Sequence, residues 1–140
     1  MTDYRPPDQE AIADAIRAAL PQARAAWLFG SAAHGTFRPG SDLDIAVDLP
    51  RPLDSRQAWD ASEQLARRLR IEVDLLDFRR LATVMQYQVL ATGRLLFDLE
   101  PAATASYCGF VLTEYQNIQS WRQPMMRQLA HRLLRAGAAS

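Results

Sequence analysis

The chain has 140 residues and equal numbers of basic and acidic side chains, 16 of each, so its formal net charge is zero. All sixteen basic residues are arginine, and the absence of lysine excludes a P-loop, a pyridoxal Schiff base and a kinase-type strand lysine. An ordinary globular mixture, 49% hydrophobic and 23% charged, excludes wholesale disorder, and a neutral total without a basic run gives no footprint for tight nucleic-acid binding.

In chain order, Pro6-Pro7-Asp8 reads as a stop and N-cap for a helix over residues 9–20, with Ile12, Ala15, Ile16, Ala19 and Leu20 on one face and Pro21 closing it. The apolar run Ala25–Phe29 reads as a buried strand that ends at Gly30-Ser31. Residues 35–41 read as loop. Residues 42–48 alternate with period two, placing Leu43, Ile45 and Val47 on one face and Asp42, Asp44 and Asp48 on the other.

Pro50 and Pro52 break the chain before a helix over 54–70, in which Trp59, Leu65 and Leu69 are expected to be buried. A strand over 71–76 follows, with Glu72 and Asp74 opposite Ile71, Val73 and Leu75. A helix over 79–92 is stopped by Gly93, and Arg94–Phe97 reads as a short edge strand. This order of elements implies an α/β chain with a small mixed sheet and helices packed against it.

After Pro101 the pattern is helical to about residue 135, with Tyr107, Val111, Tyr115, Ile118, Trp121, Met125, Leu129 and Leu133 at three- and four-residue steps. Pro124 is expected to kink this helix or to open a second one. The stripe is long for so small a core, so its distal half reads as a surface for a partner.

Chemistry concentrates in residues 30–74. Gly30-Ser31 closes a strand and opens a helix, where backbone N–H groups and a hydroxyl can hold phosphate oxygens. Asp42 and Asp44 project from one strand face, roughly 7 Å apart at Cβ. That spacing suits Mg²⁺, which takes a few carboxylates plus substrate phosphates and water. Asp74 is the in-phase acid of the next strand. An isolated Asp-x-Asp is ordinarily a solvated face, but three acids aimed at one spot repel each other unless a cation resolves the conflict. Asp48 and Glu72 lie a step along their strands and read as solvated or supporting, and Asp77 as a turn or cap residue.

Gly30-Ser31, ten residues, then Asp42-Leu43-Asp44 resembles the G-S-x₁₀-D-x-D signature of the polymerase-β-like nucleotidyltransferases. More narrowly, Leu28–Thr36 and Arg38–Val47, continuing through Val73-Asp74-Leu75 and Val89–Phe97, resemble the minimal nucleotidyltransferase (MNT) antitoxins that pair with HEPN ribonuclease toxins. The resemblance spans nearly the whole chain. It implies one minimal nucleotidyltransferase domain over 1–140, with a catalytic core over 9–100 and a helical partner-binding segment over 101–136.

It also implies transfer of AMP from ATP to a hydroxyl, a tyrosine of the toxin, with release of pyrophosphate. Asp42, Asp44 and Asp74 would then be catalytic and would ligate two Mg²⁺ ions, with Asp74 as general base. Gly30, Ser31, His34 and Arg38 would bind the nucleotide. The family's minimal members usually carry G-S-R-A-R-G, whereas this chain has Ala32 and His34 where those arginines fall. The absence keeps a non-catalytic, occluding antitoxin open as an alternative, alongside an antibiotic-modifying nucleotidyltransferase. The implied partners are the toxin and ATP, with no direct nucleic-acid contact and no membrane. The lone Cys108, the polar leader and the lack of an apolar run of about 18 residues point to the cytoplasm.

Overall fold

The computed structural model describes residues 6–35 and 37–138; the polar leader up to Arg5 and Thr36 of the expected loop lie outside them. Helix α1 (Gln9–Ala19) buries Ile12, Ala13, Ala15 and Ile16. Asp8 holds the N-cap position, although its side chain makes no capping bond. Strand β1 (Ala25–Phe29) is buried at every residue and leads through Gly30 into a single turn, α2 (Ser31–His34). Strand β2 (Leu43–Asp48) is followed by α3 (Ser55–Leu69), whose start is fixed by a reciprocal capping box. In it the Gln57 backbone N–H donates to Asp54 Oδ1 at 2.8 Å and the Asp54 N–H donates to Gln57 Oε1 at 3.1 Å.

Strand β3 (Val73–Asp77) starts two residues later than the sequence pattern suggested, because Arg70 turns the chain with φ 57° and Ile71 N–H still bonds back to Ala66 O. The expected helix over 79–92 divides: Phe78–Arg80 is a 3₁₀ turn and α4 runs from Thr83 to Thr92. Strand β4 (Arg94–Asp98) and helix α5 (Pro101–Ala138) complete the chain. Gly93 ends α4 with an ordinary backbone conformation; glycine is required there for space, since a Cβ would overlap the Val89 carbonyl oxygen.

The four strands lie in the order β3-β2-β1-β4, with β1 antiparallel to both β2 and β4 and β2 parallel to β3. Thus β4 is an edge strand, as expected. One sheet face carries Ala26, Leu28, Leu43, Ile45, Val47 and Phe97, which pack with α1 and with Ala61 and Leu65 of α3 into the larger core. The other face carries Ala25, Trp27, Phe29 and Ala46, covered in the middle by Phe78 and by Val89 of α4. The period-two pattern of β2 therefore separates a dry face from one whose ends are polar.

Three expectations need correction. Trp59 is not buried but 67% exposed. At 3.6 residues per turn it lies about 200° around α3 from Ala61, so the stripe that reaches the core passes it by. Pro124 does not open a second helix: α5 runs through it. The helix is exposed there, so water can take the carbonyl left without its donor. Asp48 is not solvated but buried, for a reason that belongs to the site.

Candidate active site

Asp44 is the second residue of β2 and Asp42 immediately precedes the strand, and the register sets the neighbours of Asp44. Asp44 lies beside Phe29 of β1 on one side and directly beside Asp74 of β3 on the other. Cross-strand neighbours in register share a face, so Asp44 and Asp74 project together, and Asp42 precedes them by one period. Asp42 and Asp74 are exposed, and Asp44 is half-buried. Burial pushes the Asp44 carboxyl above its ordinary value, and the charges of Asp74 and then Asp42 push it further. No arginine among the described residues forms an ion pair with any of the three.

Gly30 sits against this cluster. Its φ of 73° and ψ of −152° belong to a region essentially reserved for glycine. A Cβ there would overlap Asp44 Oδ2. The strand-to-helix turn can pass the carboxylate only as bare backbone, which brings the leading N–H groups of α2 and the half-buried Ser31 close to the acid cluster. Among the described residues, no three His, Cys, Asp or Glu side chains converge tightly enough to cage a metal ion. The donor set is all oxygen, short of positive charge and open on one side. It fits a Mg²⁺ held by two carboxylates and completed by substrate phosphates and water.

The expected cofactor residues divide. Gly30 and Ser31 are at the cluster. His34 ends α2 with an exposed side chain, and Arg38 stands exposed in the following loop, its backbone N–H bonded to Ser41 Oγ at 3.0 Å. Neither side chain contacts the carboxylates. Ala32, where an arginine was looked for, packs into the larger core, so a small residue suits this position.

The structure adds one wall that the sequence reading missed. A cleft of about 340 Å³ is lined by Asp42, Trp59, Ser62, Glu63, Glu72 and Asp74. Trp59 therefore presents an aromatic surface beside the acids, and its place opposite the buried stripe of α3 was the available signal.

At the other end of the same strand face, Asp48 is 3% exposed. It accepts from Arg79 Nε at 2.7 Å and from Arg79 Nη2 at 3.4 Å, with Arg24 Nη2 at 3.8 Å. This pairing raises the Arg79 pKa above its ordinary value. Tyr107 of α5 covers the guanidinium, its ring centroid 4.2 Å from Arg79 Cζ. Asp77 ends β3 just before the 3₁₀ turn, but its side chain makes no capping bond and its Oδ2 is buried without a hydrogen-bond partner among the described residues. Desolvation raises its pKa.

Residues 10–102 match the family described as polymerase beta, nucleotidyltransferase. The chain is 31% identical over 119 residues to the protein adenylyltransferase MntA of Shewanella oneidensis, covering 85% of each protein. It superposes on a chain of a toxin–antitoxin structure solved with AMP-PNP, at TM-score 0.76 and 30% identity over 87% of this chain and 98% of that one. A complex of the tri-AMPylated Shewanella oneidensis HEPN toxin with its MNT antitoxin gives TM-score 0.69 and 27% identity over the same shares. A four-stranded mixed sheet, a glycine turn against an Asp-x-Asp strand and these matches together show that the chain belongs to the polymerase-β-type nucleotidyltransferase family, as a homologue of the minimal adenylyltransferase antitoxins.

Proposed function

We propose that this chain is an antitoxin that transfers AMP from ATP to a tyrosine hydroxyl of a cognate HEPN ribonuclease toxin in the cytoplasm, and so neutralises it. The observation that carries the reading is the in-register pair Asp44 and Asp74 with Asp42 one period away, uncompensated by any arginine among the described residues and backed by Gly30. The similarity to a protein adenylyltransferase and to complexes holding a nucleotide analogue or an AMPylated toxin supports it.

In this mechanism Asp42 and Asp44 would hold Mg²⁺, and Asp74 would contribute to a second ion. Such ions would neutralise the triphosphate and lower the pKa of the acceptor hydroxyl. The N–H groups after Gly30 and the Ser31 hydroxyl hold the β- and γ-phosphates in line, and His34 from the end of α2 and Arg38 from the following loop reach the phosphates. Asp74, exposed at the edge strand and facing the acceptor side, accepts the hydroxyl proton as the oxygen attacks the α-phosphorus and pyrophosphate leaves. The segment 101–136 docks the toxin.

Incubation with α-labelled ATP, Mg²⁺ and the toxin tests the reading. Label on the toxin that disappears when its tyrosines are replaced supports it. Tight binding with no label would establish occlusion instead, and label on an aminoglycoside would establish antibiotic modification.

A further inference from the structure

The proximal part of α5 is held by the core: Val111 is fully buried, Tyr115 stacks on Tyr87 with centroids 3.7 Å apart, and Tyr107 accepts a hydrogen bond from Gln86 Nε2. Beyond Tyr115 no described residue covers the helix comparably. Ile118, Trp121, Met125, Leu129 and Leu133 are all exposed, Trp121 by 75%. Charge here is of one sign, with Arg122, Arg127, Arg132 and Arg135 and no acid after Glu114.

The position of those arginines selects among partners. Ile118, Arg122, Met125, Leu129 and Arg132 follow at steps of four, three, four and three, which is a single seam of a helix. Two arginines thus stand within the apolar stripe, and Arg127 and Arg135 stand off it. Arg122 also shares with Trp121 and Met125 a shallow groove of about 390 Å³. A lipid surface takes amphipathic helices whose cations are segregated opposite the apolar face, which this helix does not do. A second copy would set arginine against arginine, with no carboxylate on either side to relieve them. RNA would pair the arginines but leave the methionine and leucine face wet.

We infer that the distal half of α5 docks in an apolar groove of the toxin that carries two carboxylate positions opposite Arg122 and Arg132. Ten residues of helix separate the two, so these positions lie about 15 Å apart along the groove. This inference rests on the reading of the chain as an antitoxin, and it adds the chemistry of the receiving surface. The apolar seam supplies area, while the two arginines fix register and reject partners that lack the acids, because an unpaired cation buried in the groove is costly.

The test compares two double variants of the full chain for toxin binding by calorimetry. Reversal on the seam, Arg122→Glu with Arg132→Glu, is expected to weaken binding at least 100-fold. Reversal off the seam, Arg127→Glu with Arg135→Glu, should change it less than fivefold. Arg122→Ala with Arg132→Ala, which only deletes charge, should weaken binding at least tenfold. Labelled-ATP binding in Mg²⁺ should remain as in the unaltered chain for all three, showing that the core is folded. Equal losses from the two reversals would overturn the inference in favour of general charge attraction. So would toxin binding that ignores both while the unaltered chain binds anionic phosphatidylserine vesicles or forms dimers. Seam-dependent binding of a toxin that acquires no AMP would uphold the docking surface and defeat only the transferase reading.

Discussion

Asp44 and Asp48 lie four residues apart on one face of one strand, and their surroundings are opposite. Asp48 is buried and gripped by two donors on one edge of Arg79, Nε and Nη2, with Arg24 nearby. Asp44 is less buried, faces Asp42 and Asp74, and has no arginine partner among the described residues. A carboxylate used to hold the fold is given its cation within the chain. One used to bind a charged substrate is left short of positive charge, so that the missing cation must come with the ligand. In a chain whose lasting positive charges are all arginine, the placement of Arg24 and Arg79 at the far end is what makes the two surroundings differ.

The sharpest way to test this contrast is Asp44→Asn. Transfer should fall at least about a thousandfold, equivalent to roughly 4 kcal/mol of transition-state stabilisation. The fold should not suffer. The folded-state pKa of Asp44 is raised above its ordinary 3.8, so its contribution to stability is complete below that value and is lost as pH rises through the raised one. At pH 7 without divalent ions, Asp44→Asn should therefore melt at or above the temperature of the unaltered chain. The gap should close as pH falls toward 3.8. Added Mg²⁺ should raise the melting temperature of the unaltered chain and leave the variant where it is. A variant that melts lower, or retains transfer, would mean that Asp44 is structural like Asp48.

The opposite outcome belongs to Asp48→Ala. Removing the buried carboxylate leaves the exposed Arg79 and the half-buried Arg24 without it and opens a gap at its site, a loss of about 1–3 kcal/mol measured by urea unfolding. Transfer per folded molecule should stay within about twofold, since the ion pair touches no phosphate. Between the two falls Gly30→Ala, which sets a methyl against Asp44 Oδ2 at a glycine-only backbone angle. It should cost about 1–3 kcal/mol of stability and lose transfer with it, because turn and carboxylate move together.

Much of this contrast was legible in the sequence on one side only. Period-two alternation in β2 placed Asp44 correctly, and the phased Asp74 marked its neighbour, because both signals are local to a strand. Asp48 carries the same phase, and the sequence alone leaves it as solvated or supporting; its partner arrives from a 3₁₀ turn 31 residues later, and no local pattern reports what covers a face. The boundaries of β3 and α4 slipped for a related reason, since the turns at Arg70 and Phe78–Arg80 carry no glycine or proline to mark them. Trp59 failed differently. Its large apolar side chain suggested burial, but its angle around α3 sends it to the acid cleft.

The smallest test concerns the roof over the Asp48 end. Tyr107 does two things there: its ring lies on the Arg79 guanidinium, and its hydroxyl accepts from Gln86 Nε2 at 3.0 Å, while that same nitrogen donates to Phe78 O at 2.9 Å. Tyr107→Phe keeps the ring and removes only the hydroxyl. Gln86 still has the Phe78 carbonyl, so the expected loss is about 1 kcal/mol in unfolding, with transfer unchanged. Tyr107→Ala also uncovers Arg79 and should cost more, roughly 3 kcal/mol. If the phenylalanine variant lost as much as alanine, the hydroxyl bond rather than the ring would be what fastens α5 over the ion pair. The Asp48 end would then depend on a single polar contact instead of on enclosure by an aromatic face.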